Sequence, residues 1–197
     1  VQRALTLPLG DQVPTRGNHL TRALGRLAFR LLGWRLEGAI PDLPKFLIIA
    51  APHTSNWDFL IGVCTLFAVS FRVSWLGKHT LFRWPARGIL RWLGGIPVHR
   101  GRDQGHVDRA IAAFREREQL ILAIAPEGTR KKVPHWRTGF YRIALGAGVP
   151  IVPAWFDYRL KVVGFRDPIV PTGDLDADMV RIRACYDGVT PRHPHLF

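Results

Sequence analysis

Cysteine is scarce in this chain: Cys64 and Cys185 are the only two in 197 residues. Two cysteines cannot build the cross-linked framework of a small secreted domain, and they fit a reducing compartment. Cys64 lies inside an apolar run, which suits a buried, inert thiol better than a nucleophile. Long apolar runs are also missing. The longest uncharged one without proline, residues 59–71, has 13 residues, short of the ~20 that a spanning helix needs. It reads as a core helix, and no signal peptide is visible, so any membrane association is expected to be peripheral. Acidic residues are few: 15 Asp and Glu stand against 28 Lys and Arg, a formal net charge of +13. Such a surplus draws polyanions, whether nucleic acid, an anionic membrane surface or phosphorylated substrates. Seven Trp suit a membrane–water interface and base stacking equally, so they do not decide between lipid and nucleic acid. Charged residues make up 22% and hydrophobic ones 47%, a globular balance in a chain long enough for one domain with a substantial core.

Residues 1–18 hold Pro8, Gly10, Pro14 and Gly17 without periodicity and read as a loose arm, with a single domain over residues 19–197. Residues 19–34 follow a helical period, with Leu20, Ala23, Leu24, Leu27, Ala28 and Leu31 on one face. Arg22, Arg26 and Arg30 gather on its flank and Trp34 closes it, a pattern that fits an interfacial helix or a surface helix packed on its own domain. Residues 81–93 again space arginines (Arg83, Arg87, Arg91) beside Trp84 and Trp92. Buried strands are expected at 46–50, 120–125 and 150–157, and shorter ones at 73–77 and 96–98. Helices are expected at 54–71, 107–119, 140–147 and 174–186, with a hairpin-like pair at 160–165 and 168–170. This alternation predicts an α/β fold with a central, largely parallel sheet flanked by helices and a short basic amphipathic helix at the N-terminal side.

Three constellations can carry chemistry. His53 and Asp58, separated by four residues, stand where a buried strand ends and a helix begins. A neutral imidazole can take a hydroxyl proton near pH 7, and a carboxylate on its other nitrogen fixes the tautomer and stabilises the imidazolium. The same stretch also fits a capping box, with Ser55 as N-cap and Asp58 three residues on, and the segment alone leaves both readings open. In the second constellation, Gly94 and Gly95 precede a short strand that ends at His99 and Arg100, an arginine able to grip a phosphate bidentately. The third, from Pro126 to Arg130, follows a buried strand as His53 does. There Gly128 lets a ligand approach the backbone, Arg130, Lys131 and Lys132 supply charge, and Glu127 can bind a hydroxyl or order the arginines.

Taken in order, these residues resemble the four blocks of the glycerolipid acyltransferases, the family that includes the 1-acylglycerol-3-phosphate acyltransferases. His53 to Asp58 is similar to its first block, Gly95 to Arg100 to its second, Pro126 to Arg130 to its third and Val149 to Pro153 to its fourth. The resemblance implies that His53 is a general base with Asp58 as its partner. It further implies that Arg100, Glu127, Gly128, Thr129 and Arg130 bind a lysophospholipid or similar phosphorylated acceptor. The donor would be an acyl thioester, acyl-CoA or acyl-ACP (acyl carrier protein), with no bound cofactor and no metal. Arg22, Arg26, Arg30 and Trp34 would dock the protein on the anionic, cytoplasmic face of the cell membrane. His99 and Lys131 depart from the family pattern, which often has an acidic residue and a serine there, and this bears on the identity of the acceptor. Two other readings are a basic nucleic-acid-binding module, for which no motif is visible and which is not expected, and an acyl-thioester hydrolase using the same dyad.

Overall fold

A computed structural model describes residues 5–98 and 105–197 of the chain. The order of elements is α1 (His19–Leu32), β1 (Arg35–Gly38), β2 (Lys45–Ala50), α2 (Asn56–Val69), β3 (Ser74–Lys78), α3 (Ala86–Trp92), β4 (Gly95–Val98), α4 (His106–Glu116), β5 (Leu120–Ile124), α5 (Gly139–Ala147), β6 (Ile151–Asp157), β7 (Val162–Phe165) and α6 (Leu175–Ala184). The described strands form one seven-stranded sheet in the order β1-β7-β6-β2-β5-β3-β4. Strands β2 to β6 run the same way. β7 is antiparallel to β6, and β1 follows β7 in parallel, so these two run against the rest. The expected α/β class, with a largely parallel sheet between helices, is the one observed.

Strand β2 explains why the middle of the sheet has no polar face. Phe46 and Ile48 point into one core with Phe29, Ile61 and Phe71, on the side of α1 and α2. Leu47 and Ile49 point into a second with Phe114, Phe140 and Ile182, on the side of α4, α5 and α6. Burial on both faces turns a strand into a continuous apolar run, the signal that located it. β2 lies between β5 and β6, with Ile49 opposite Ile124 on one side and Ala50 opposite Ala154 on the other. The loops that leave the C-terminal ends of these three strands therefore meet at one edge, where α/β sheets place their ligands.

Four expectations need correction. Residues 5–18 are tied down rather than loose: Leu7 and Val13 are buried, and Pro14 and Arg16 exchange backbone hydrogen bonds with Arg72 and Ser70. The first helix stops at Leu32, because Gly33 takes a left-handed conformation (φ 72°) and caps it. Trp34 thus leaves the helix, is buried, and packs edge-on against Tyr158 at 5.0 Å between ring centres; it is not a membrane anchor. β7 pairs with β6 rather than with residues 168–170, of which Ile169 only bridges Ile151.

Four leucines of α1 face away from the core, whereas Leu32 at its end packs against it. Leu20, Leu24, Leu27 and Leu31 are 66%, 52%, 49% and 76% exposed. The buried side of the helix is Gly25 and Phe29 instead. Gly25 is required there, since a Cβ would lie 2.4 Å from the Ala68 backbone nitrogen of α2. Trp92 of α3 contacts Phe67 of α2, and Trp84, Ile89 and Trp92 are themselves exposed. Among the described residues no helix is long and apolar enough to cross a membrane.

Candidate active site

The site is built first by a helix cap. Ser55 is the N-cap of α2; its Oγ accepts from the Trp57 amide at 3.2 Å, and its own amide donates to Asp58 Oδ2 at 2.8 Å. That reciprocal arrangement holds Asp58 in the first turn with its side chain 1% exposed. The same Oδ2 lies 3.1 Å from His53 Nδ1, and the imidazole is 25% exposed. Asp58 therefore engages one ring nitrogen from the interior and leaves Nε2 as the nitrogen able to act as a base. A third donor sits on the other oxygen: Tyr158, the first residue after β6, donates from its hydroxyl to Oδ1 at 2.6 Å.

These contacts set the protonation of Asp58. Burial alone would raise its pKa, but hydrogen bonds from His53, Tyr158 and the Ser55 amide together hold it below the ordinary carboxylate value. Tyr158 shifts the other way: burial, then its bond to the Asp58 carboxylate, pushes the phenol well above its usual range and keeps it a neutral donor.

The loop after β5 supports the dyad from the other side. Glu127 is buried, and its Oε1 accepts from the His53 backbone N–H at 3.0 Å. Its Oε2 is buried with no hydrogen-bond partner in the described structure. Burial raises the Glu127 carboxyl above the ordinary value, against lowering contributions from its own backbone and from His53. Glu127 thus orders the backbone that carries His53. Gly128 adopts φ 64°, and a Cβ there would lie 2.9 Å from Arg137 Nε, so the glycine accommodates this protein's own arginine. Thr129 is half-buried and its hydroxyl accepts from the Lys131 amide at 3.4 Å.

Arg130 is exposed and faces an open cleft of about 530 Å³ lined also by Thr54, Ser55, Asn56, His193, His195 and Leu196. The structure thus brings His53, Asp58 and Glu127 into direct contact and sets Arg130 on the cleft beside the start of α2. Arg100 lies outside the described residues. Arg22, Arg26 and Arg30 lie on α1; Arg30 is exposed, whereas Arg22 is half-buried with Nε donating to Ser70 Oγ at 2.9 Å.

Two parts of the site were not foreseen. One is Tyr158. The other is the C-terminal segment, which folds back over the start of α2: the His193 amide donates to Thr54 Oγ1 at 3.3 Å, and the Arg192 guanidinium lies 5.0 Å from the Trp57 ring centre. The run Arg192, His193, Pro194, His195 was a basic signal open to reading, but nothing local says which part of the fold it covers.

The chain is also similar to known proteins. The acyltransferase family model matches residues 39–157, more than half of the chain. The 1-acyl-sn-glycerol-3-phosphate acyltransferase of Haemophilus influenzae is 33% identical over an alignment of 149 positions that covers 71% of this chain and 60% of that protein. The Escherichia coli protein of the same name is 30% identical over an alignment of 139 positions that covers 66% of this chain and 55% of that protein. The chain thus spans somewhat more than half the length of these relatives. The crystal structure of the 1-acyl-sn-glycerophosphate (LPA) acyltransferase PlsC from Thermotoga maritima aligns with a TM-score of 0.61 over 86% of this chain and 75% of that one. At 20% identity this likeness is one of fold.

Proposed function

The chain belongs to the acyltransferase family, and from that premise we propose that it transfers a fatty acyl group from a thioester to the free hydroxyl of lysophosphatidic acid or a close relative. The observation that carries the reading is the His53 Nδ1 to Asp58 Oδ2 contact of 3.1 Å, His53 standing one residue before Thr54, which lines the cleft that Arg130 faces. The acceptor's phosphate binds Arg130, with His193 and His195 on the same cleft, and this leaves its hydroxyl near His53. As the hydroxyl oxygen attacks the thioester carbonyl, its proton passes to His53 Nε2, and Asp58 stabilises the imidazolium that forms. The carbon–sulfur bond of the tetrahedral intermediate then breaks and the thiolate departs. A thiol of pKa about 8.5 leaves without strong acid assistance. The start of α2 lines the cleft, so the positive end of its dipole favours the developing oxyanion.

The acyl donor is coenzyme A or acyl carrier protein. The enzyme works from the cytoplasmic face of the membrane, with the exposed leucines of α1 and Trp84, Ile89 and Trp92 set into lipid and Arg30 at the head groups. The test is mass spectrometry of the lipids formed by purified protein from lysophosphatidic acid, lysophosphatidylcholine or no acceptor, with each donor in turn. Phosphatidic acid is expected from the first arm, and its loss in His53→Ala. Free fatty acid as the main product in all arms would make the protein a hydrolase, and full activity of His53→Ala would remove the mechanism.

A further inference from the structure

We propose that Tyr158 is a positioning residue of the acyl-transfer site, acting through Asp58 to fix the orientation of His53. The inference rests on the assignment of His53 as the base. Three donors converge on the Asp58 carboxylate. The Ser55 amide and His53 share Oδ2, and Oδ1 is held by Tyr158 at 2.6 Å. Without Tyr158, a single backbone amide on Oδ2 leaves the carboxylate plane free to turn about χ2, and His53 turns with it. With Tyr158, both oxygens are pinned and the carboxylate faces the imidazole in one orientation.

The tyrosine is itself well placed for the task. Trp34 packs against its ring at an interplanar angle of 88°, and the Arg192 guanidinium lies 5.8 Å from its centre. Its backbone amide donates to Thr190 O at 2.8 Å. β6, which it terminates, pairs directly with β2, the strand that leads to His53. Trp34, Tyr158 and the segment around Arg192 therefore form a buttress behind Asp58, drawn from three distant parts of the chain. The titratable and charged groups that face this unit are His53, Asp58 and Arg192 at direct contact, with Glu127 under the His53 backbone.

The phenol also modulates charge. By donating to Oδ1 it withdraws negative charge from the carboxylate, so its removal leaves Asp58 a stronger partner for the imidazolium. Tyr158→Phe keeps the ring and its packing on Trp34, and removes the hydroxyl's bonds to Asp58 and Arg192, which the Asp58→Asn background separates. The expected outcome is a kcat lower by roughly tenfold or more, equivalent to about 1.4 kcal/mol, with KM for acceptor and donor little changed. The acid limb of the pH profile of kcat/KM should move to higher pH.

A double-mutant cycle completes the test. In an Asp58→Asn background, followed by single-turnover assay with a radiolabelled acyl donor, Tyr158→Phe should cost nothing further. A wild-type kcat and pH profile in Tyr158→Phe would overturn the proposal, as would an undiminished loss in the Asp58→Asn background. If His53→Ala is inactive while Tyr158→Phe behaves as wild type, only the positioning role fails. If His53→Ala is active, the underlying mechanism fails.

Discussion

Asp58→Asn distinguishes what the carboxylate does for helix α2 from what it does for His53. The carboxylate accepts from three donors, the Ser55 amide, Tyr158 and His53, on a side chain that is 1% exposed. An amide has one accepting oxygen and one donating nitrogen. If the oxygen serves Ser55 and His53, the NH₂ is turned on Tyr158, whose hydroxyl hydrogen must then find another acceptor. If the NH₂ faces His53, the imidazole is driven to the tautomer with its proton on Nε2, and the base is lost. Either way a buried donor loses a charged acceptor, at about 1–3 kcal/mol, and α2 loses the negative charge in its first turn, at about 0.3–1 kcal/mol. A net cost of about 2 kcal/mol corresponds to a fall in Tm of roughly 4–8 °C for a chain of this size. The catalytic loss is larger, because the imidazolium then forms without a counter-charge, and removal of that charge in a comparable His–Asp pair costs about 10⁴-fold. His53→Ala is the control. It leaves the Ser55–Asp58 box and the Tyr158 bond intact, so it should abolish transfer with Tm little changed. Thermal unfolding and a labelled acyl-transfer assay on both variants read the two effects. A fall in Tm for Asp58→Asn with kcat within about tenfold of wild type would make Asp58 a helix cap and nothing more.

Stability should respond to pH with opposite signs from the two buried acids. Asp58 has its folded pKa below the ordinary value, so its contribution is present above that ordinary value and is lost as pH falls through the folded one. Glu127 has its folded pKa raised, so its contribution is full below the ordinary value and is lost as pH rises through the raised one. Urea midpoints against pH should therefore flatten on the acid side in Asp58→Asn. Those of Glu127→Gln should gain on wild type as pH rises above the ordinary glutamate range, and parallel curves would contradict the assignment. For the membrane, Leu24→Glu with Leu31→Glu should weaken binding to anionic phospholipid vesicles at least tenfold, since each leucine buried from water contributes about 1.5–3 kcal/mol. Trp34→Ala should instead lower stability and leave vesicle binding unchanged; a reversed pattern in sedimentation assays would refute the orientation given to α1.

The parts of this fold that could be read in advance are those in which neighbouring residues share one environment. β2, β5 and β6 are buried on both faces and appear as unbroken apolar runs. β1 was missed because only Leu36 of its four residues is buried. Trp34 was misplaced for a sharper reason. It keeps the helical phase of Leu20, Leu24, Leu27 and Leu31, and only the left-handed Gly33 takes it off the exposed face and into the core. Tyr158 stands 100 residues from Asp58. No local pattern ties the two together, and the pairing of β6 beside β2 does so only in the folded sheet.

Asp58 itself supported two accounts, a capping box or a catalytic partner, that spacing could not separate. The geometry lets one carboxylate serve both. Ser55 N–H and His53 Nδ1 meet the same oxygen, at 2.8 Å and 3.1 Å. The capping box at Ser55 places its acid at the third helical position, and it fixes the backbone two residues upstream, where the histidine stands. The four-residue gap is thus the spacing at which a helix cap, already needed for α2, presents one carboxylate oxygen to a histidine on the incoming loop. Capping supplies the preorganisation, and any substitution that loosens the cap should also lower the rate.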